Sequence, residues 1–208
     1  RWCLAARKAG MKYAVFTARH HDGFALFDSR ADAFNSLHTP ARRDFVAEFL
    51  IACRKYKLGV GLYFSLADWR FLESQKPRAV EAVKMRDLAQ AQLRELMTRY
   101  GPVDILWYDG GCCPLKQNPS RQDIAAFWRA DRMNAMVRKY QPHILINGRS
   151  GTDEDFATVE GQNIMRPPPG AKTWEACMTL GDDDFSFWGY CRSALHRRTP
   201  AQALLLLL

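Results

Sequence analysis

Apolar residues recur along the chain in two alternating rhythms, and the alternation marks out its elements. Residues 2–9 (WCLAARKA) read as the last turns of a helix closed by Gly10. Tyr13–Thr17 (YAVFT) is a short apolar, aromatic and β-branched run of the kind that forms a buried strand. A long polar stretch follows through Pro40. Asp44 then stands where an N-cap would, ahead of Phe45, Phe49 and Cys53 at helical spacing. Gly59–Ser65 (GVGLYFS) is the next strand. A long helix is predicted from about Pro77 to Tyr100, with Gly101-Pro102 as its stop. Val103–Tyr108 (VDILWY) is a third strand. Ser120 caps a further helix reaching Tyr140, and Ile144–Asn147 (ILIN) is a fourth strand. Shorter strand candidates lie at Phe156–Val159 and Trp174–Thr179.

Strands separated by helices of this length pair in parallel through right-handed crossovers. A (β/α)8 barrel and an open doubly wound sheet share that signature. No G-x-G-x-x-G or P-loop sequence follows the first strand, which weighs against nucleotide binding. Every strand instead runs into polar or aromatic residues: Thr17-Ala-Arg-His-His-Asp, Ser65-Leu-Ala-Asp, Asp109-Gly-Gly, Asn147-Gly-Arg and Glu160-Gly. Barrel enzymes assemble their sites from strand C-termini of this kind. The expected fold is therefore an α/β, TIM-like (β/α)8 barrel. It is incomplete, because a full barrel needs eight strands and about 250 residues. Residues 1–208 read as one partial catalytic domain, lacking early strands and the C-terminal end.

Composition changes this picture little. Apolar residues make up 48% and charged residues 25% of the 208, as in globular domains. No apolar run is long enough for a membrane helix, including the closing Leu204–Leu208. The net charge of +8 is spread over short groups such as Arg42-Arg43 and Arg197-Arg198, a solvated basic surface rather than a nucleic-acid stripe. The six cysteines show neither metal spacing nor a dense disulfide framework. The chain opens on Arg1 inside a helix, so any export signal is expected upstream of it.

Candidate chemistry lies at the strand ends. Asp109, after ILWY and before Gly110-Gly111, places a carboxylate at a barrel mouth, although Asp before Gly also suits a turn. Glu160, after DFATV and before Gly161, is a second strand-end acid, with Glu175 as a competitor. Paired carboxylates suit glycoside hydrolysis: one attacks the anomeric carbon while the other protonates the leaving oxygen. His20-His21-Asp22 suggests a metal site. However, adjacent strand residues point to opposite faces, which is poor geometry for a facial triad. Binding of sugar hydroxyls, a metal site and a structural role stay open for it. Arg149 could clamp a polar ligand, orient a carboxylate or carry surface charge. Tyr63, Trp107 and Trp188 are core candidates singly and pocket walls jointly.

In order and with matching spacing, the blocks KYAVFTARHHDGFALFDS (12–29), GLYFSLADW (61–69), YGPVDILWYDGG (100–111), INGRSG (146–151), DFATVEG (155–161) and WEACMTLGDDDFSFWGY (174–190) resemble the α-L-fucosidases of glycoside hydrolase family 29. The resemblance covers nearly the whole chain. It implies a retaining exo-glycosidase that releases terminal α-L-fucose through a covalent fucosyl-enzyme intermediate. By the same resemblance Asp109 is the nucleophile and Glu160 the acid/base. His20, His21, Tyr63 and Arg149 are ligands of the fucose hydroxyls, and Trp107 and Trp188 are apolar walls. No metal or cofactor is implied, and the expected partner is a fucosylated glycan. Secretion or periplasmic export would suit such a substrate. Residues 181–187 (GDDDFSF) are expanded relative to the family pattern. Two other readings are a barrel hydrolase for another sugar and a non-catalytic carbohydrate-binding fragment.

Overall fold

The structure, a computed structural model, describes residues 1–72, 78–160 and 166–178. It divides into two compact units, Arg1–Thr152 and Asp153–Leu208. In the first, strands β1 (Tyr13–Arg19), β2 (Gly59–Ser65), β3 (Ile105–Asp109) and β4 (Leu145–Ile146) form one sheet in the order β1-β2-β3-β4. All three pairings are parallel, as crossovers through helices require. The described residues thus show an α/β parallel sheet and no closed barrel.

Alternation along the strands gives the sheet two different faces. Val60, Leu62, Phe64, Leu106 and Tyr108 point to one side and are buried in the main apolar core. Helix α2 (Phe45–Lys55) packs on β1 and β2 there. Val15, Thr17, Tyr63, Ser65, Trp107 and Asp109 share the other face, because the register sets Val15 beside Gly61, Tyr63 beside Trp107 and Ser65 beside Asp109. This second face carries the polar strand ends.

The helices confirm most boundaries and correct two details. Asp44 caps α2 through Ala47 N–H at 2.8 Å, and the same carboxylate accepts from Asp28 N–H at 3.0 Å and from the Tyr100 hydroxyl at 2.6 Å. The buried stripe of α2 is Val46, Leu50 and Cys53 rather than Phe45, Phe49 and Cys53. The helix is rotated by one residue, and Phe49 stacks half-buried on Phe16. The long helix α3 (Ala79–Arg99) is as expected. The stretch expected as one helix from Ser120 to Tyr140 is two, α4 (Arg121–Trp128) and α5 (Ala130–Tyr140). The break is Arg129, whose left-handed backbone (φ 51°) ends one helix and begins the next. The remaining helix, α1 (Trp2–Lys8), brings the Cys3 sulfur to 3.7 Å from that of Cys53, both buried free thiols.

In the second unit β5 (Ala157–Glu160) and β6 (Trp174–Cys177) pair in parallel as a separate two-stranded sheet. Among the described residues no helix is long and apolar enough to cross a membrane.

Candidate active site

Asp109 is the last residue of β3, and its carboxylate is held on both oxygens. The Tyr63 hydroxyl donates to Oδ2 at 2.7 Å, and Arg149 Nη1 donates to Oδ1 at 2.8 Å. Strand pairing explains the first contact, since Tyr63 lies beside Trp107 on the same face, one pleat below Asp109. Burial pushes the carboxyl's pKa up. The Tyr63 hydroxyl, the Gly110 N–H and the Arg149 charge outweigh burial and hold it below the ordinary aspartate value. Asp109 is therefore an ionised, half-buried carboxylate at neutral pH.

His21 Nε2 lies 3.5 Å from Asp109 Oδ2, while Nδ1 is 2.6 Å from the Ser65 hydroxyl. Ser65 has one proton, and it donates that proton to the Ala67 carbonyl at 2.8 Å. The hydroxyl can then only accept from His21, so Nδ1 carries the imidazole proton. Burial, followed by the neighbouring His20, lowers the pKa of His21 below its usual value, while Asp109 opposes the shift. Neutral His21 thus turns an Nε2 lone pair toward the space beside Asp109. A ligand hydroxyl donating to Nε2 would relieve the two facing acceptors.

The aromatic residues form a row along this face. Arg149 lies 4.5 Å over the Trp107 ring, Trp107 stacks on Tyr63 at 5.4 Å, and Tyr63 on His20 at 5.3 Å. His20 abuts His21 at 4.2 Å, and His21 abuts Trp69 at 5.6 Å. Asp109, His20, His21, Tyr63, Trp107 and Arg149 are thus brought together within the first unit.

Two backbone features aim Arg149 at Asp109. Beyond the short β4, buried Asn147 takes over the ladder with its side chain, accepting from Tyr108 N–H and donating to Tyr108 C=O, each at 2.9 Å. The chain then turns through a short 3-10 helix, Gly148–Ser150, that carries Arg149. Gly110 adopts φ 62°, and a Cβ there would stand 3.0 Å from His21 Nδ1 and from Ser65 Oγ. A Cβ on Gly111 would come within 2.1 Å of the Arg149 carbonyl oxygen. Only glycines let the turn after Asp109 sit this close to its neighbours.

Glu160 ends β5 in the second unit. Thr158 pairs with Glu175 and Glu160 with Cys177, so both acids share one face of the β5-β6 ladder. Trp188 and residues 181–187 lie outside the described residues. Among the described residues no group of three or more His, Cys, Asp and Glu side chains is arranged to hold a metal. Asp22 accepts instead from the Phe24 N–H at 3.0 Å, closing a local turn. Ser65 and Asn147 stood among the polar strand ends and Trp69 closed the second quoted block, but none was singled out as a site residue. Ser65 had a signal, since it ends β2 as Asp109 ends β3.

A family model described as Alpha-L-fucosidase matches residues 1–208. The chain is 31% identical to plasma alpha-L-fucosidase of Rattus norvegicus over 93% of its own length and 42% of that protein. It is similar to the structure of alpha-L-fucosidase isoenzyme 1 from Paenibacillus thiaminolyticus, with a TM-score of 0.75, 31% identity, and coverage of 98% of this chain and 52% of that one. It is also similar to a Bacteroides thetaiotaomicron GH29 alpha-L-fucosidase solved as a trapped covalent intermediate with 2-fluoro-fucosyl fluoride, with a TM-score of 0.75, 26% identity, and coverage of 98% and 50%. The chain therefore spans about two-fifths to one-half of the relatives it matches. With the family model matched from its first residue to its last, the chain belongs to the α-L-fucosidase family.

Proposed function

We propose that these residues are the central part of a (β/α)8 catalytic barrel, one partial domain over 1–208, in a retaining exo-glycosidase that releases terminal α-L-fucose from glycans. The observation that carries this reading is Asp109: a strand-end carboxylate kept ionised by Tyr63 and Arg149, with a neutral histidine acceptor beside it. The trapped covalent intermediate of the Bacteroides thetaiotaomicron relative supports a covalent step.

In the proposed reaction an Asp109 oxygen attacks the anomeric carbon. The bond to the glycosidic oxygen breaks, and Glu160 donates its proton to that oxygen. Water, deprotonated by Glu160, then attacks the same carbon, expels Asp109 and restores both groups. Arg149 and Tyr63 stabilise Asp109 as a leaving carboxylate in this second step as well as keeping it ionised in the first. His20, His21, Tyr63, Arg149, Trp107 and Trp188 would line the fucose pocket. A retaining mechanism requires the Asp109 and Glu160 carboxyls to lie about 5–5.5 Å apart with fucose between them.

The test uses the full-length protein with an aryl α-L-fucoside. Wild type should turn over, and Asp109→Ala should lose roughly three orders of magnitude or more. Glu160→Ala, but not Glu175→Ala, should be rescued by azide when the leaving group is activated. Full activity in Asp109→Ala, or rescue in Glu175→Ala alone, would reassign the nucleophile or the acid.

A further inference from the structure

The row of neighbouring aromatic rings beside Asp109 does not stop at the histidines. Its inner member Trp107 is 6% exposed, but its last member, Trp69, is 58% exposed. Single exposed aromatics are ordinary on protein surfaces and usually carry no meaning. Trp69 differs because the fold fixes it in place. Its backbone N–H donates to the His21 carbonyl at 2.7 Å, which ties this segment to the turn that carries both histidines. The preceding Asp68 is fully buried, 3.6 Å from the equally buried Arg19 and 2.6 Å from Arg70. Arg70 also reaches Asp32 at 2.8 Å, and Asp68 caps the short 3-10 helix Trp69–Phe71. Two arginines and two aspartates thus anchor the backbone on either side of an indole whose ring remains largely in solvent. Its inner edge packs on His21, the residue whose Nε2 faces the nucleophile.

An exo-glycosidase buries the sugar it removes and must leave the rest of the glycan outside the pocket. An exposed indole on this anchored backbone, next to the buried end of the row, offers an apolar face for the C–H side of a pyranose ring. We propose that Trp69 is the platform for the leaving-group sugar, a subsite one sugar beyond the scissile bond. This rests on the fucosidase reading above. Trp69 then sets which fucosylated acceptors are cleaved efficiently and has little part in holding fucose itself.

The test compares wild type, Trp69→Ala and Trp69→Phe of the full-length protein on α-L-fucosyl fluoride, whose leaving group is a single atom, and on the best substrate among a panel of α-L-fucosyl disaccharides. Trp69→Ala should lose about tenfold or more in kcat/KM on the disaccharide and less than about threefold on the fluoride. Trp69→Phe should recover most of the disaccharide activity. Equal losses on both substrates would overturn the proposal, since Trp69 would then serve the fucose site or the fold alone. No loss on either would overturn it equally. Wild type that hydrolyses neither substrate would instead remove the fucosidase reading beneath it, an outcome visible before any variant is made.

Discussion

At the scale of single residues, the site is a set of hydrogen bonds that fix charge and tautomer before a substrate arrives. Tyr63→Phe should keep the stack between His20 and Trp107 while removing the donor to Asp109 Oδ2. Asp109 is held low by that bond among others, so its loss raises the carboxyl's pKa. In the proposed mechanism the acid limb of kcat/KM, where Asp109 becomes protonated, should therefore move to higher pH. A limb unchanged in position would show that the Tyr63 bond does not set it. The strand-end position of Asp109 was legible from sequence because it follows an apolar strand and precedes two glycines. The partner of Arg149 was not, since whether it met substrate or carboxylate depends on how Asn147 redirects the chain after a two-residue strand. Trp69 stood in the quoted GLYFSLADW block, but its anchoring by buried charges on neighbouring residues is not something a sequence displays.

At the scale of elements, capping decides more than periodicity. Asp44 serves helix α2, the loop at Asp28 and the Tyr100 hydroxyl with one carboxylate. Asp44→Ala removes the cap and strands two partners, so it should cost about 2 kcal/mol or more in thermal or denaturant unfolding. A cost below about 0.5 kcal/mol would mean water replaces the carboxylate at all three positions. The cap was readable in sequence, but the face of the helix it begins was not. Phe45, Phe49 and Cys53 made a plausible stripe, yet tertiary packing selected Val46, Leu50 and Cys53. The break between α4 and α5 left no trace either, because the left-handed residue there is an arginine rather than a glycine or asparagine.

At the scale of the molecule, the sheet has one finished face and one unfinished one. Tyr13, Val15 and Leu145 lie on the face that carries Tyr63 and Asp109, at 45%, 37% and 48% exposure. In a closed barrel that face is the packed interior. The 208 residues expressed by themselves should bind an apolar dye such as ANS and self-associate, whereas the full-length protein should do neither. A monomeric, dye-silent 208-residue protein would show that this face is already covered. The alternation of strands and helices was legible because β2 and β3 are largely apolar runs and the long helix α3 lies between them. The barrel expected from that alternation is not shown: the described residues form a four-stranded parallel sheet beside a separate two-stranded one.

The missing side chain at position 111 has a consequence for anyone recombining these enzymes. The turn after β3 and the turn after β4 touch backbone to backbone, with the Arg149 carbonyl filling the volume a Cβ on residue 111 would occupy. The two turns are therefore one packed unit rather than two exchangeable loops. Chimeras whose crossover falls between them would join an acid to an arginine shaped for a different partner. Grafts that carry residues 109–111 and 147–151 together keep the pair intact.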